Sequence, residues 1–253
     1  MRALIISDIH ANLPALEAVL AAAPEHDVVW NLGDIVGYGA NPDEVVDLAK
    51  KLGGMVVRGN HDRARSGNIK PDEYLNLNRD ARCSVDWTQE ILTKGNAKWL
   101  SRLPRGPVRP LGHKVACVHG SPCGEDEYVF FREDARAAFR ASRARIIFCG
   151  HTHWQVGWSL NGRELTPLKP EFQSSEGLDQ FELPLRSENR YVLNPGSVGQ
   201  PRDGDWRAAF AVYDDTHSVV TWYRVPYTLL MAQTWILRAG LPEFLADRLR
   251  MGR

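Results

Sequence analysis

The chain is poor in cysteine. Four thiols, Cys83, Cys117, Cys123 and Cys149, stand among 253 residues, and no two of them form a C-x-x-C pair. That spacing argues against a thiolate metal site and against a disulfide framework. Cys117 and Cys149 fall in apolar, strand-like stretches, where a reduced thiol behaves as a small hydrophobe. Long apolar runs are missing too, and none approaches the roughly 18 residues that would cross a bilayer. There is no surplus of either charge, because 31 basic residues balance 31 acidic ones. A neutral balance argues against an extended nucleic-acid surface and against a polyanion-binding tail. Repeats, low-complexity tracts and flexible linkers are absent as well. The N-terminus enters strand-like RALIIS directly, and a cleaved leader would take Asp8 with it, so the chain reads as unprocessed and cytoplasmic.

What is present is an ordinary globular balance, 43% apolar and 25% charged. The length suffices for one large domain over 1–253 with a substantial core. The first sixty residues read β-α-β-α-β. Strand-like 2–7 is followed by a helix opened by Asn12 and Pro14, with Leu13, Leu16, Val19 and Leu20 on one face. Val28 to Leu32 is a second strand. Asn41-Pro42-Asp43-Glu44 combines a cap residue, an early proline and carboxylates at the positive end of a helix dipole. A third strand spans 55–58. Residues 63–105 turn polar and helical in pattern, with Trp87, Ile91 and Leu92 on one stripe and Trp99, Leu100 and Leu103 on another. They read as a small helical insertion beside the site or over a sheet edge. From 107 onward short strands dominate, at 114–118, 145–149, 190–194, 208–213 and 218–224, with a helix over 132–142 and a hairpin turn at Asn161-Gly162. Residues 169–188 fit no single pattern. The C-terminal helices occupy 226–253, broken at Gly240-Leu241-Pro242.

Five short blocks carry the chemistry. They are Asp8 and His10 in SDIH, Asp34 in NLGD, Asn60, His61 and Asp62 in RGNHD, His119 in VHGS, and His151 with His153 in CGHTH. Each follows an apolar run and reads as a strand exit, where α/β folds place their reactive groups. Asp8 and His10 at i and i+2 share a face of an extended chain, and the same spacing lets His151 and His153 point into one site. A carboxylate beside imidazoles suits a first-row divalent ion. Asp34 could bridge two ions with its two oxygens. The amide oxygen of Asn60 makes sense as a ligand only beside a strong cation. Any one block is weak, but five in succession point to a metal site.

The order D-x-H, G-D, G-N-H-D, H and G-H-x-H resembles the calcineurin-like metallophosphoesterases. SDIHANLPALEAVL, GDIVGYGANPDE, VRGNHD, CGHTH and LNPGSVGQPRDGD look like the bacterial and archaeal predicted phosphodiesterase branch. The resemblance covers nearly the whole chain, including the AGLPEFLADRLRMGR tail. It implies an α/β fold, a four-layer α-β-β-α sandwich of two mixed β-sheets flanked by helices. It also implies two divalent transition-metal ions (manganese, iron, zinc or nickel). Asp8, His10 and His153 would hold one, Asn60, His119 and His151 the other, with Asp34 bridging.

The implied activity is hydrolysis of a phosphodiester or phosphoanhydride in a small nucleotide-like substrate, by in-line attack of a metal-bridging hydroxide. His61 would protonate the leaving group or stabilise the transition state, with Asp62 orienting it. Asn12 and Arg202 are candidate substrate contacts, Asn12 having helix capping as its alternative. The Asn194-Pro195-Gly196-Ser197 turn would shape the site wall. Tyr128, Phe130 and Phe131 serve either helix packing or stacking on an aromatic leaving group. The chain departs from protein serine/threonine phosphatases and symmetrical diadenosine tetraphosphate hydrolases in carrying GDIVGYG where they have G-D-x-x-D-R-G. A phosphomonoesterase or protein phosphatase, and a catalytically silent metal-binding scaffold, are the competing readings. The expected partner is a small phosphoester, with no membrane and no extended nucleic acid.

Overall fold

Alternation along the first strand sets the layering. In the computed structural model, which describes residues 1–65, 74 and 78–253, Leu4 and Ile6 face one apolar cluster while Ala3 and Ile5 face another. A strand buried on both faces is the mark of a sheet covered on both sides. The chain runs β1 (Arg2–Ile6), α1 (Leu13–Ala22), β2 (Val28–Asn31), α2 (Pro42–Leu52), β3 (Met55–Val56) and α3 (Asn60–Arg65). It continues with α4 (Arg79–Ile91), α5 (Lys94–Leu100), β4 (Val115–Cys117), α6 (Arg132–Ala141) and β5 (Ile146–Phe148). The β6 (Gly157–Asn161) and β7 (Glu164–Leu168) hairpin follows, then β8 (Asp179–Pro184), β9 (Arg190–Leu193), β10 (Ala208–Asp214) and β11 (Val219–Val225). Two helices, α7 (Leu229–Arg238) and α8 (Glu243–Met251), close the described chain.

One sheet has the order β3-β2-β1-β10-β11-β8, the other β4-β5-β9-β6-β7. Both are mixed. Strands β1, β2 and β3 are parallel in the first, and β4, β5 and β9 in the second. The inner faces meet through Ile5, Trp30, Val115, Phe148, Tyr213 and Trp222. Helices α1, α2, α7 and α8 cover the outside of the first sheet with Leu16, Val45, Ile236 and Leu245. Helix α6 covers the second through Ala135, Ala138 and Phe139. This is the four-layer sandwich of two mixed sheets. Among the described residues no helix is long and apolar enough to cross a membrane, and the four cysteines are free.

Two local expectations are corrected. Asn41 precedes α2 but makes no side-chain cap bond. The strand 2–7 stops at Ile6, because Ser7 and Asp8 turn into the site. The stretch 169–188, which fits no pattern, contains β8, an edge strand exposed on alternate residues. Of the helical insertion, α4 and α5 are present, while 66–73 and 75–77 lie outside the described residues.

Topology places the site. Asp8, Asp34, Asn60, His119 and His151 each follow the C-terminal end of a parallel strand, β1 to β5 in turn. The facing sheets therefore bring both sets of loops together at one end of the sandwich.

Candidate metal centre

The strand-end residues converge on two adjoining points. One set comprises Asp8, His10, Asp34 and His153, the other Asp34, His119 and His151, and within each set the donor atoms lie within 4.8 Å of one another. Asp34 belongs to both. Its Oδ2 lies 3.7 Å from His10 Nε2 and 3.3 Å from His119 Nε2. His10 and His153 approach through their Nε2 atoms at 3.1 Å. On the other side, His119 Nε2 lies 3.2 Å from Asn60 Oδ1 and 3.1 Å from His151 Nδ1.

The backbone reaches this arrangement through strain rather than extension. Asp8, His10, Asp34, His151 and His153 all have positive φ, between 49° and 65°. Such values are uncommon outside glycine and cluster where function over-determines the chain. The extended i, i+2 geometry expected for Asp8 and His10 is therefore corrected. Left-handed turns aim these side chains inward. His151 and His153 do not share one set but part between the two. Glycine lets the loops nest: a Cβ on Gly59 would lie 2.1 Å from Asp34 Oδ1, and one on Gly150 would lie 1.9 Å from Ser7 Oγ. The Asn194–Ser197 turn buttresses the first loop, with Ser197 Oγ donating to the Asp8 carbonyl at 2.7 Å.

Main-chain carbonyls fix the tautomers. Nδ1 of His10, His119 and His153 donates to Val36, Leu32 and Gln200 carbonyl oxygens at 3.2, 2.9 and 2.6 Å. A carbonyl can only accept, so in the neutral form Nε2 of each ring turns its lone pair toward the centre. His151 is reversed: Nε2 donates to the Asp126 carbonyl at 3.2 Å, leaving Nδ1 inward. Such outer partners orient metal ligands.

Burial governs the charges. It pushes Asp8 up to about 7. It holds His10 and His153 well below the ordinary histidine range, and takes His151 down to about 3. His119 is the exception. Burial alone would lower it, but Asp34 raises it to about 10. Burial likewise opposes ionisation of Asp34, yet His119, His61 and His10 hold it well below the usual carboxylate range. Asp8 Oδ1 is buried with no hydrogen-bond partner, and lies 3.3 Å from His153 Nε2. An orphaned carboxylate oxygen among inward-facing imidazole lone pairs fits a divalent cation with mixed nitrogen and oxygen ligands.

A cavity of about 210 Å³ opens beside the two sets, lined by Asp34, Tyr38, Asn60, His61, Asn78, Ala81, Tyr128, His151, His153 and Arg202. His61 and Arg202 thus reach it. Asn12 does not. Its Oδ1 caps α1 at Ala15 N, 3.2 Å, and its Nδ2 donates to the Gly199 carbonyl at 2.8 Å. Both ends of the amide are engaged within the protein, and capping is the alternative seen. Asp62 does not orient His61 either. Its carboxylate accepts from the main-chain N–H groups of Asp34, Ile35, Val36 and Gly59, at 2.9 to 3.3 Å. It clamps the Asp34 loop against the Asn60 turn. His61 is placed by its own N–H on Asp34 Oδ1 at 2.8 Å and by Tyr38, whose ring centroid is 4.5 Å away. Gly37 makes room: a Cβ there would lie 2.5 Å from His61 Nδ1.

Sequence reasoning missed Tyr38, Asn78 and Ala81. The GYG in GDIVGYG was the available signal for Tyr38, whereas nothing local marked the start of α4. Tyr128 does not serve helix packing: it stacks on His151 at 4.2 Å with planes 10° apart.

A model of the calcineurin-like phosphoesterase family matches residues 1–155. An uncharacterized protein of Methanocaldococcus jannaschii is 34% identical over 256 residues, covering 98% of this chain and 97% of its own. The crystal structure of a metallophosphoesterase from Sphaerobacter thermophilus superposes with a TM-score of 0.84 at 39% identity, covering 100% of this chain and 99% of that one. A symmetrical bis(5'-nucleosyl)-tetraphosphatase from Pectobacterium atrosepticum is 37% identical over 115 residues, 41% of this chain and 38% of its own.

Proposed function

The chain belongs to the calcineurin-like phosphoesterase family, and from that premise we propose that it hydrolyses a phosphodiester or phosphoanhydride in a small nucleotide-like substrate. The observation that carries this reading is the place of Asp34 in both ligand sets. We assign Asp8, His10 and His153 to one ion, Asn60, His119 and His151 to the other, and Asp34 to both. Divalent ions bound there would activate water and neutralise phosphate charge. The partial likeness to a tetraphosphatase lends support to the anhydride form of the substrate.

The chain's own groups supply the rest. Inward lone pairs fixed by carbonyl partners hold the ligands ready before substrate arrives. Arg202 lines the cavity and offers positive charge to a phosphate. Burial lowers His61 below the ordinary histidine range, so its ring is neutral near pH 7. A neutral ring still donates one N–H, and we assign His61 that hydrogen bond to a phosphate or leaving oxygen as charge develops. The scaffold reading is disfavoured by the intact ligand sets.

The test is hydrolysis of bis-p-nitrophenyl phosphate beside p-nitrophenyl phosphate, after metal is stripped and manganese restored. Metal-dependent turnover of the diester is expected. Turnover of the monoester alone would move the assignment to a phosphatase. Silence on both with metal bound would favour a scaffold.

A further inference from the structure

Tyr38 carries two guanidinium groups. Cζ of Arg202 and Cζ of Arg248 each lie 5.7 Å from its ring centroid. Tyr38 and Arg202 line the cavity beside the metal centre. Arg248 comes from α8, far along the chain from Tyr38. Among the described residues neither arginine forms an ion pair. Arg202 donates Nη2 to Gln200 Oε1 at 2.8 Å, and its buried Nε has no partner. Arg248 donates Nε to the main-chain oxygen of Arg253 at 2.5 Å.

The two fully buried arginines are paired, Arg207 with Asp205 and Arg224 with Asp203, whereas the half-buried Arg190 is held by main-chain carbonyls. Two like charges on one ring, neither in an ion pair among the described residues, repel each other, an arrangement that an anion would relieve. Burial and the charge of Arg202 together bring Arg248 down to about 10. The carboxylate that acts on Arg248 is Asp80, in the first turn of α4, beside the cavity-lining Asn78 and Ala81.

The pairing is built in. The N–H of Gly204 donates to the Gly252 carbonyl at 3.1 Å, tying the end of α8 to the loop that bears Arg202. A Cβ on Gly252 would lie 2.7 Å from Asp205 N, and the φ of Gly252 is +60°. Asp203, on the same loop, is anchored by Arg224.

We propose that Arg202 and Arg248, set on Tyr38, form an anion subsite that holds a second phosphate of the substrate, next to the phosphate at the metal centre. This rests on the phosphoesterase reading above and narrows it to substrates with at least two phosphoryl groups.

The test compares AMP and ADP as competitive inhibitors of diester hydrolysis, with manganese in excess over nucleotide. The wild type should prefer ADP by about tenfold or more, the weight of one charge-assisted contact. Arg248→Ala should erase most of that preference. Arg250→Ala, an exposed residue of the same helix, should retain it. Should Arg248→Ala fail to fold, Arg248→Lys, which keeps the charge and loses the planar fork, should give an intermediate preference. An unchanged preference in the Arg248 variants overturns the subsite. If the wild type hydrolyses no diester, the phosphodiester reading fails and calorimetry with pyrophosphate on metal-stripped protein decides the subsite alone. There, weaker binding by about tenfold in Arg248→Ala supports the subsite, and equal binding overturns it.

Discussion

His119 and His151 meet at 3.1 Å, the first through Nε2 and the second through Nδ1. The two imidazoles thus present opposite ring nitrogens to one point, because Leu32 and Asp126 carbonyls hold the remaining nitrogens. An Asn side chain places its oxygen near the position of Nδ1, and Gln near that of Nε2. His151→Asn should therefore keep more manganese affinity than His151→Gln. At His153, which faces inward through Nε2, the order should reverse. Differences of about tenfold are expected in metal titrations. The same order at both positions would refute the reversed geometry.

Gly37→Ala should act on His61 without touching a ligand. The added carbon would lie 2.5 Å from His61 Nδ1, at a backbone φ of +94° that side chains rarely adopt. Turnover should fall about 10²-fold, with a stability loss of about 1–3 kcal/mol. Metal content measured on the purified variant should match the wild type. Full activity would show that the position of His61 is irrelevant to catalysis.

Asp62 and His61, though adjacent, should behave differently. Asp62→Asn turns one acceptor into a donor facing main-chain N–H groups, so stability should drop by about 3–5 kcal/mol and bound metal should be lost. His61→Ala should keep its metal and its melting temperature while losing turnover. Matching melting and metal profiles for the two variants would contradict the clamp assigned to Asp62.

Metal uptake should release protons near pH 7. His119, held up to about 10 by Asp34, carries a proton there, and Asp8, pushed up to about 7 by burial, is partly protonated. Cations bind the deprotonated forms, so apparent affinity should rise with pH until His119 has titrated in the free protein. Calorimetry of manganese binding in two buffers of different ionisation enthalpy would reveal the release. Equal heats in both buffers at pH 7 would show that no proton leaves.

Much of the site was legible because its signals are short-range. Apolar runs ending in Asp, Asn or His marked five strand exits, and all five converge. The placement of Cys117 and Cys149 in the core followed from their apolar neighbours. Reasoning failed where a residue's partner lies far along the chain. For Asn12 the capping alternative held, but its second bond, to the Gly199 carbonyl, left no local mark. Asp62 looked like a neighbour of His61, but its oxygens reach back to residues 34–36.

The sequence by itself determined the donor types, their place at strand ends and the alternation that buries β1 on both faces. Those properties depend on a residue and its immediate neighbours. The shared place of Asp34 was anticipated from the sequence too, and only the tertiary structure decided that His151 turns its ring the other way. It alone carried Arg248 from the last helix onto Tyr38. These depend on facing sheets, left-handed turns and main-chain carbonyls many residues away, and hydrogen-bond geometry at such separations leaves no local pattern to read.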